Sequence, residues 1–380
     1  MSLENEADER KSSTHKVEVV PVVLTPHAGA DTLSIVHVFG YTCCVRTADW
    51  QGVTKAAYIV ADSLVDVRRP EFSFLAEKAN EDGYARIKAM KLRGVYSFGL
   101  LVPLPDDAVL GEDLAEKLGV LRYEPPVGKG VKARDKFVIG GEEEPGPKFD
   151  NGPNKYDVEA FERYAQVTLK EGEPVFITEK LDGSNCRVTY WNDRFWVKTR
   201  NRWVKRVPSY SHVTVDSLIA RGVSEAQALE IVEKFALRRP EMNGFWKVLE
   251  ANPVLQEYLK KNPGTVVFGE IYGNINRIKY GLPEVNAFAI FDIYRENNFL
   301  DSEDLMREIT ENGLTSVPVY KENVYSFDLI KTLSNGWTRV PNAAKGTISE
   351  GVVVRPVKER VSDHCGRVIL KCVNPEFLFK

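Results

Sequence analysis

The chain has 380 residues, 43% of them apolar and 28% charged, which is enough for two globular domains. Its net charge of −3 argues against general coating of nucleic acid, and no apolar run approaches the roughly 18 residues of a membrane helix. Five cysteines without CxxC spacing fit neither a disulfide framework nor a zinc site. Residues 1–15 have the composition of a solvated tail and lack a secretory or transit signal, so we expect a soluble, intracellular protein.

Short apolar runs separated by Gly and Pro predict a small β-barrel over residues 16–125. The runs are VEVVPVVL, LSIVHVFGYTCCV, AAYIVADSLVDV and ARIKAMKLRGVYSFGLLV. In the last run four cations recur at nearly alternate positions: Arg86, Lys88, Lys91 and Arg93. This spacing would place them along one side of a strand, which is either an ordinary solvated surface or a nucleic-acid contact.

Residues 126–155 are rich in Gly, Pro and charge and predict an interdomain linker. After it, YDVEAFERYAQVT has the apolar spacing of a short helix, which we expect to open a second domain over residues 156–380. Further helices are predicted at ALEIVEKFAL, VLQEYLKK and DLMREIT, with strands between them. Strands interleaved irregularly with helices are typical of the α+β class.

One strand of this second domain ends in unusual polar residues. The segment VFITEKLDGSN places Glu179, Lys180 and Asp182 at the end of an apolar run, followed by Gly183. A lysine at the end of a buried strand, beside a glycine that permits close backbone approach, is suited to hold a phosphate or form a covalent bond. Alone the pattern is weak, because a surface lysine near a turn is common.

Four further segments follow KLDG in a fixed order: FGEIYG from Phe268, AIFDIY from Ala289, EGVVVRP from Glu350 and ILK from Ile369. Together the five segments resemble the signatures of the covalent nucleotidyltransferase superfamily, which comprises ATP-dependent ligases and mRNA capping enzymes. The resemblance implies a domain in which two antiparallel sheets enclose an ATP pocket. It also implies that Lys180 attacks ATP and becomes covalently joined to AMP.

The chemistry of a lysine nucleophile constrains the surrounding charges. A free lysine amine has a pKa near ~10.4 and must lose its proton before it attacks phosphorus. Cations such as Lys371 and a bound metal would favour the neutral amine, whereas carboxylates close to it would oppose it. We therefore expect the acidic residues to face a hydrated Mg²⁺ or Mn²⁺. The resemblance assigns three of them to this role, with contact through water molecules: Asp182, Glu270 and Glu350.

The resemblance implies a nucleotide pocket around the lysine. Phe291 is the expected ring on adenine, while Arg200 and Lys371 are expected phosphate contacts. The complete set of predicted nucleotide-binding residues is Glu179, Asp182, Gly183, Asn185, Arg200, Glu270, Phe291, Glu350 and Lys371. Each acidic residue taken alone would equally fit a salt bridge at a strand end.

Two features resemble RNA ligases in particular. Asn185 lies five residues after the lysine and Arg200 lies twenty after it. The barrel-like domain comes first, as in RNA ligases of the Naegleria and Deinococcus type, and only nine residues follow Lys371, so no barrel is expected there. The resemblance implies an N-terminal OB-fold, which binds oligonucleotides, and a monomer that joins RNA 3′-hydroxyl and 5′-phosphate ends, as in a nicked duplex.

One position departs from this pattern. Many relatives carry a second lysine two residues after Lys371, where this chain has Val373. We expect Lys345 or Arg355 to replace the missing cation, since a charge-assisted phosphate contact contributes about 1.5–3 kcal/mol. Two alternatives remain open: a capping-type enzyme that uses GTP, and a nucleic-acid-binding protein whose nucleotidyltransferase domain has lost activity.

Overall fold

The computed structural model describes residues 15–123, 144–147, 156–207, 214–220, 223–236, 242–273, 275–282 and 286–379. The predicted tail and most of the predicted linker lie outside these ranges. Among the residues described, no helix is long and apolar enough to cross a membrane.

Two compact units make up the chain. One comprises residues 1–125 and 159–168, and the other comprises residues 126–158 and 169–380. The boundaries expected from the sequence, with a linker over residues 126–155, stay a prediction.

The first unit consists mainly of short antiparallel strands. In chain order these are β1 (Val17–Pro21), β2 (Leu24–Pro26), β3 (Leu33–Val38), β4 (Tyr41–Arg46), β5 (Lys55–Ile59), β6 (Ser63–Asp66), β7 (Tyr84–Arg86), β8 (Met90–Leu92), β9 (Val95–Ser97), β10 (Leu100–Leu104) and β11 (Leu121–Arg122). They pair in the orders β1-β5-β10, β2-β3-β4, β11-β6-β7 and β8-β9. Two 3₁₀ helices span Thr47–Trp50 and Pro70–Lys78.

Strand β1 shows why the runs of this unit are apolar at consecutive positions. Val17 and Val19 pack in one core cluster with Ile59, whereas Val20 packs in a second cluster with Tyr58. Side chains alternate between the two faces of a strand, so the sheet β1-β5-β10 buries both of its faces.

The prediction of one basic strand is wrong. Arg86 lies in β7, which pairs with β6, while Lys91 lies in β8, which forms a separate hairpin with β9. Arg93 has a φ of 46° and Gly94 has a φ of 91°, so both residues form the turn of that hairpin. Four cations at nearly alternate positions therefore belong to different local structures, because turns interrupt the run.

The helix expected to open the second domain groups with the first unit. After the short strand β12 (Glu159–Ala160), helix α1 spans Phe161–Thr168. The backbone N–H of Gly40 donates to the carbonyl of Glu162 over 2.7 Å, and Arg163 pairs with Glu18. The helix itself is confirmed at the predicted place, but its contacts belong to residues far earlier in the chain.

The second unit mixes strands and helices, which confirms the α+β class. Its strands are β13 (Val175–Lys180), β14 (Gly183–Trp191), β15 (Arg194–Thr199), β16 (Val266–Tyr272), β17 (Ala287–Arg295), β18 (Asn298–Phe299), β19 (Gly351–Pro356), β20 (Val361–Ser362), β21 (Gly366–Arg367) and β22 (Leu370–Val373). Its helices are α2 (Val215–Ile219), α3 (Glu225–Ala236), α4 (Gly244–Glu250), α5 (Pro253–Lys261), α6 (Ser302–Glu311), α7 (Phe327–Ser334) and α8 (Pro375–Leu378).

Two antiparallel sheets carry the polar segments found in the sequence. One has β13, β19 and β22 as consecutive neighbours, and the other has the order β15-β14-β16-β17-β18. Strand β14 buries Cys186 and Val188 in a core with helices α4, α5 and α6. The alternate residues, such as Asn185, lie on the opposite face of β14, where the candidate site is found.

Candidate active site

Lys180 is the last residue of β13. In the register of the sheet it lies opposite Gly351 of β19, which in turn lies opposite Val373 of β22. Gly351 has a φ of 148°, and a Cβ there would come within 2.2 Å of the carbonyl oxygen of Cys372. Glycine is therefore required for the close approach of the two strands beside the lysine.

A cavity of about 470 Å³ opens at Lys180. This volume lies within the range of small-ligand sites, about 300–1,000 Å³. Beside Lys180, seven of the nine predicted nucleotide-binding residues line it: Glu179, Gly183, Asn185, Arg200, Glu270, Phe291 and Lys371. Folding thus brings together residues that are up to about 190 positions apart in the chain.

The lysine amine is held by a carboxylate. Lys180 Nζ lies 2.6 Å from Glu350 Oε1. Burial by itself would lower the pKa of Lys180, but Glu350, Glu270 and Asp182 outweigh it and raise that pKa. The carboxylates expected to face a metal thus also lie close enough to the Lys180 ammonium group to raise its pKa, and their contact with a metal stays a prediction.

This contact leads to a testable prediction. Changing Glu350→Gln removes the nearest negative charge, so the pKa of Lys180 should fall and its amine should react at lower pH. The rate at which an amine-reactive reagent modifies Lys180, followed by peptide mass spectrometry across a pH series, would measure the change. Glu376→Gln is a matched control at the N-terminus of α8 and should leave the profile unchanged. An unshifted profile in Glu350→Gln would contradict the assigned contact.

The acidic residues fit a hydrated cation better than a directly bound one. Burial is the main cause that raises the pKa of Glu270 to about 8; Lys180 opposes this rise, and the charges of Glu350 and Asp182 add to it. Such a concentration of carboxylates attracts a divalent cation. Among the described residues, however, no three His, Cys, Asp or Glu side chains are placed to hold one ion. Asp182 also accepts a 2.7 Å hydrogen bond from the backbone N–H of Ile278. The donor set therefore favours contact through water.

Phe291 forms an aromatic wall of the cavity, as the sequence predicted. A register shift between Phe268 and Gly269 lets β17 bulge, so that Asp292 lies opposite Phe268 and Ile290 lies opposite Gly269. The extra residue of the bulge is Phe291, which points its ring toward the cavity, while Phe288 packs in the core. The bulge thus separates the roles of two aromatic residues in one strand.

The predicted phosphate contacts lie on neighbouring strands. Lys371 of β22 is opposite Val353, which is opposite Thr178 of β13, so its row lies two residues from that of Lys180, on the same face of the sheet. Arg200 lines the cavity just after β15 and pairs with Asp157. Both cations therefore face the space into which Lys180 opens.

Glu179 and Gly183, two other predicted residues, fix the course of the backbone around the site. Glu179 accepts hydrogen bonds from the Thr338 hydroxyl and the Arg339 backbone N–H, each over 2.6 Å, and its side chain is almost fully buried. Its carboxylate thus anchors the segment before β19. A Cβ on Gly183 would come within 2.2 Å of the Ile271 carbonyl, so this glycine lets β14 approach β16.

Neither residue expected to substitute for the missing second lysine places an unpaired cation in the cavity, among the residues that the structure describes. Val373 packs against an apolar cluster that includes Leu181 and Tyr280. Lys345 is exposed and does not line the cavity, whereas Arg355 does line it. Arg355 is committed to Asp292 at 3.1 Å, so its guanidinium is held by that carboxylate.

Sequence reasoning missed Tyr156, a further wall of the cavity. Its ring lies 4.9 Å from that of Phe291, and its hydroxyl donates to Asp292 over 2.7 Å. Asp292 is fully buried and also pairs with Arg355 and, at 2.7 Å, with Arg367. The aromatic residue before the helix gave no local signal for this contact, since 136 positions separate the two partners.

Comparisons with known proteins identify the family and the fold of the chain. The family model described as RNA ligase matches residues 173–373, just over half of the chain, and a model described as an OB-fold domain matches residues 15–104. No curated protein matches the chain.

Solved structures of Naegleria gruberi RNA ligase share its fold. A lysine-to-alanine variant with ATP and Mn has a TM-score of 0.70 at 20% identity, with 96% of this chain and 98% of that one covered. A glutamate-to-alanine variant with AMP and Mn has a TM-score of 0.70 at 21% identity, with 97% and 98% covered. The expected succession of an OB-fold domain and a nucleotidyltransferase domain is thereby confirmed.

Proposed function

The chain belongs to the RNA ligase family, and from this premise we propose that it uses ATP to join RNA 3′-hydroxyl and 5′-phosphate ends through a covalent bond between Lys180 and AMP. The observation that carries the proposal is the position of the Lys180 amine. It lies in a cavity of about 470 Å³ that also presents an aromatic wall and the cations Arg200 and Lys371, in addition to Arg355, which is paired with Asp292. These are the contacts that a nucleoside triphosphate needs.

In the first step the neutral amine of Lys180 attacks the α-phosphorus of ATP. An N–P bond forms, the bond to the β-phosphate oxygen breaks, and pyrophosphate leaves. Glu350 is placed 2.6 Å from the amine to accept its proton, and burial raises the pKa of this carboxyl group, which makes it a stronger base. A hydrated Mg²⁺ or Mn²⁺ near Asp182, Glu270 and Glu350 would supply positive charge to the phosphates and favour the neutral amine.

The next two steps use the same cavity. A 5′-phosphate oxygen displaces Lys180 from AMP, which leaves an adenylylated RNA end. The 3′-hydroxyl then attacks that 5′-phosphorus and AMP leaves with its bonding electron pair. Arg200 and Lys371 line the cavity and are positioned to stabilise negative charge on phosphorus in each step.

A sealing assay tests the activity. With a nicked RNA duplex, ATP and Mg²⁺, we expect a joined product only when the nick carries a 3′-hydroxyl and a 5′-phosphate. Labelling of the protein by GTP in place of ATP would favour the capping-type alternative. RNA binding without any AMP transfer would favour a nucleotidyltransferase domain that has lost activity.

Phe291 provides a test of the nucleotide pocket. Phe291→Ala removes the proposed stacking contact with adenine, so we expect the KM for ATP to rise by roughly 5–100-fold, with a smaller change in kcat. Phe291→Tyr keeps the ring and should stay within a few fold of the wild type. Steady-state release of pyrophosphate measures both. Equal KM values for the alanine variant and the wild type would show that adenine does not stack on Phe291.

We further propose that the enzyme acts as a monomer on nicks or breaks in RNA, in repair or processing. The OB-fold match over residues 15–104 supports a separate nucleic-acid-binding domain within residues 16–125, before the adenylyltransferase domain over residues 156–380. Analytical ultracentrifugation of the full chain would test the monomer.

A further inference from the structure

A strip of partly exposed aromatic rings lies on the first unit. The rings of Tyr41 and Phe98 are 5.7 Å apart between centroids, and those of Phe98 and Tyr96 are 6.4 Å apart. The Lys91 ammonium lies 4.8 Å from the centroid of Tyr96. These three rings and Lys91 form what we call the ring strip, in which each ring is only partly buried.

The backbone fixes the ring strip in place. The N–H of Phe98 donates to the carbonyl of Thr42 over 2.8 Å, and the hydroxyl of Tyr58 donates to the carbonyl of Phe98 over 3.1 Å. Gly99 has a φ of 87°, and a Cβ there would lie 2.5 Å from the Ile59 carbonyl. Tyr41 lies in β4, Tyr96 lies in β9 and Phe98 follows β9, so their backbone is already ordered and less conformational entropy is lost when a ligand stacks on the rings.

Positive charge accompanies the rings. Lys91 and Arg93 are exposed on the β8-β9 hairpin, and neither forms an ion pair within the part of the chain that the structure describes. Arg86, by contrast, is paired with Asp62 at 2.5 Å and lies 3.8 Å from the centroid of Tyr123. The two hairpin cations therefore remain available to an anionic partner, whereas Arg86 is already neutralised.

We propose that the ring strip, together with Arg93, binds single-stranded RNA. Unpaired bases present faces that stack on Tyr41, Tyr96 and Phe98, while the hairpin cations contact phosphates. A base-paired strand buries its base faces against its neighbours, so the partly exposed rings favour unpaired nucleotides. The inference rests on the proposed function only in taking RNA as the partner.

Binding of a fluorescent 12-nucleotide single-stranded RNA to the full chain tests the charged part of this surface. Lys91→Ala combined with Arg93→Ala should weaken binding about tenfold and flatten the dependence of log K on log salt by about 1.4, because each lost phosphate contact accounts for ~0.7. Lys78→Ala combined with Lys117→Ala removes the same charge from other exposed positions of the unit and should stay within about twofold of the wild type.

A second variant tests the aromatic part. Tyr96→Leu keeps an apolar side chain but removes the ring, so binding should weaken about fivefold or more while the salt dependence stays unchanged. Wild-type affinity in both the hairpin and the Tyr96 variants would overturn the proposal, and so would an equal loss in the lysine control. Formation of lysyl-AMP from ATP alone is measured in parallel. Its absence in the wild type would refute the proposed function without affecting the comparison of RNA affinities.

Discussion

Replacing Lys180 with alanine is expected to abolish covalent labelling of the protein by ATP and to lower RNA sealing by at least ~10³-fold, because no other group takes over a lost nucleophile. Lys180→Arg is the sharper variant. It keeps a positive charge beside Glu350, whose carboxylate lies 2.6 Å from the native amine, yet a guanidinium stays protonated and is not a nucleophile. Intact-mass and peptide mass spectrometry after incubation with ATP and Mg²⁺ or Mn²⁺ would measure both.

Lys198 is the rival nucleophile that this experiment must exclude. Burial, together with the nearby Arg187, lowers the pKa of Lys198 to about 8, so a larger fraction of its amine is neutral near pH 7 than for an ordinary lysine. It does not line the cavity as far as the described residues show. Lys198→Ala should keep the AMP adduct. An adduct that survives in Lys180→Ala, or one that maps to Lys198, would refute the assignment.

The second large effect is expected at Asp292. Asp292→Ala removes a fully buried carboxylate that pairs with Arg355 at 3.1 Å and Arg367 at 2.7 Å and accepts from Tyr156. Removal of one partner leaves buried positive charge without compensation, so the free energy of unfolding should fall by about 3–5 kcal/mol. Because Tyr156 also lines the cavity, the KM for ATP should rise as well.

A matched aspartate provides the control. Asp304 pairs with Arg307 at 2.6 Å on the surface of α6, and Asp304→Ala should change the free energy of unfolding by no more than about 0.5–1 kcal/mol. Denaturant unfolding of both variants and the wild type measures the difference. Equal losses of unfolding free energy in Asp292→Ala and Asp304→Ala would show that burial does not determine how much an ion pair contributes to stability.

The ion pairs of Asp292 with Arg355 and Arg367 make the free energy of unfolding depend on pH with a known sign. Burial would raise the pKa of Asp292, but Arg355 and Arg367 outweigh it and lower that pKa below the ordinary value near ~3.9. Its stabilisation is therefore present above the unfolded-state pKa and is lost as the pH falls through the folded-state value. Unfolding below about pH 4 should be less steep with pH in Asp292→Asn than in the wild type.

Local chemistry in the sequence determined the class of the protein and most of its site. The segment KLDG and the four segments that follow it placed Lys180, Glu270, Phe291 and Lys371, all of which line one cavity. The order of these segments suffices there, because it resembles that of the covalent nucleotidyltransferase signatures and each residue ends or lies within an apolar strand that must enter a sheet. Helix α5 at VLQEYLKK and α6 at DLMREIT were predicted for the same reason of local periodicity.

Only the tertiary structure decided which charges meet. The contact of Lys180 with Glu350 follows from the register of β13 against β19, and the contact of Tyr156 with Asp292 spans 136 positions. The turn at Gly94 likewise divided a run of cations that looked continuous. Pairing across strands depends on register, bulges and turns, which a spacing pattern along one segment does not contain.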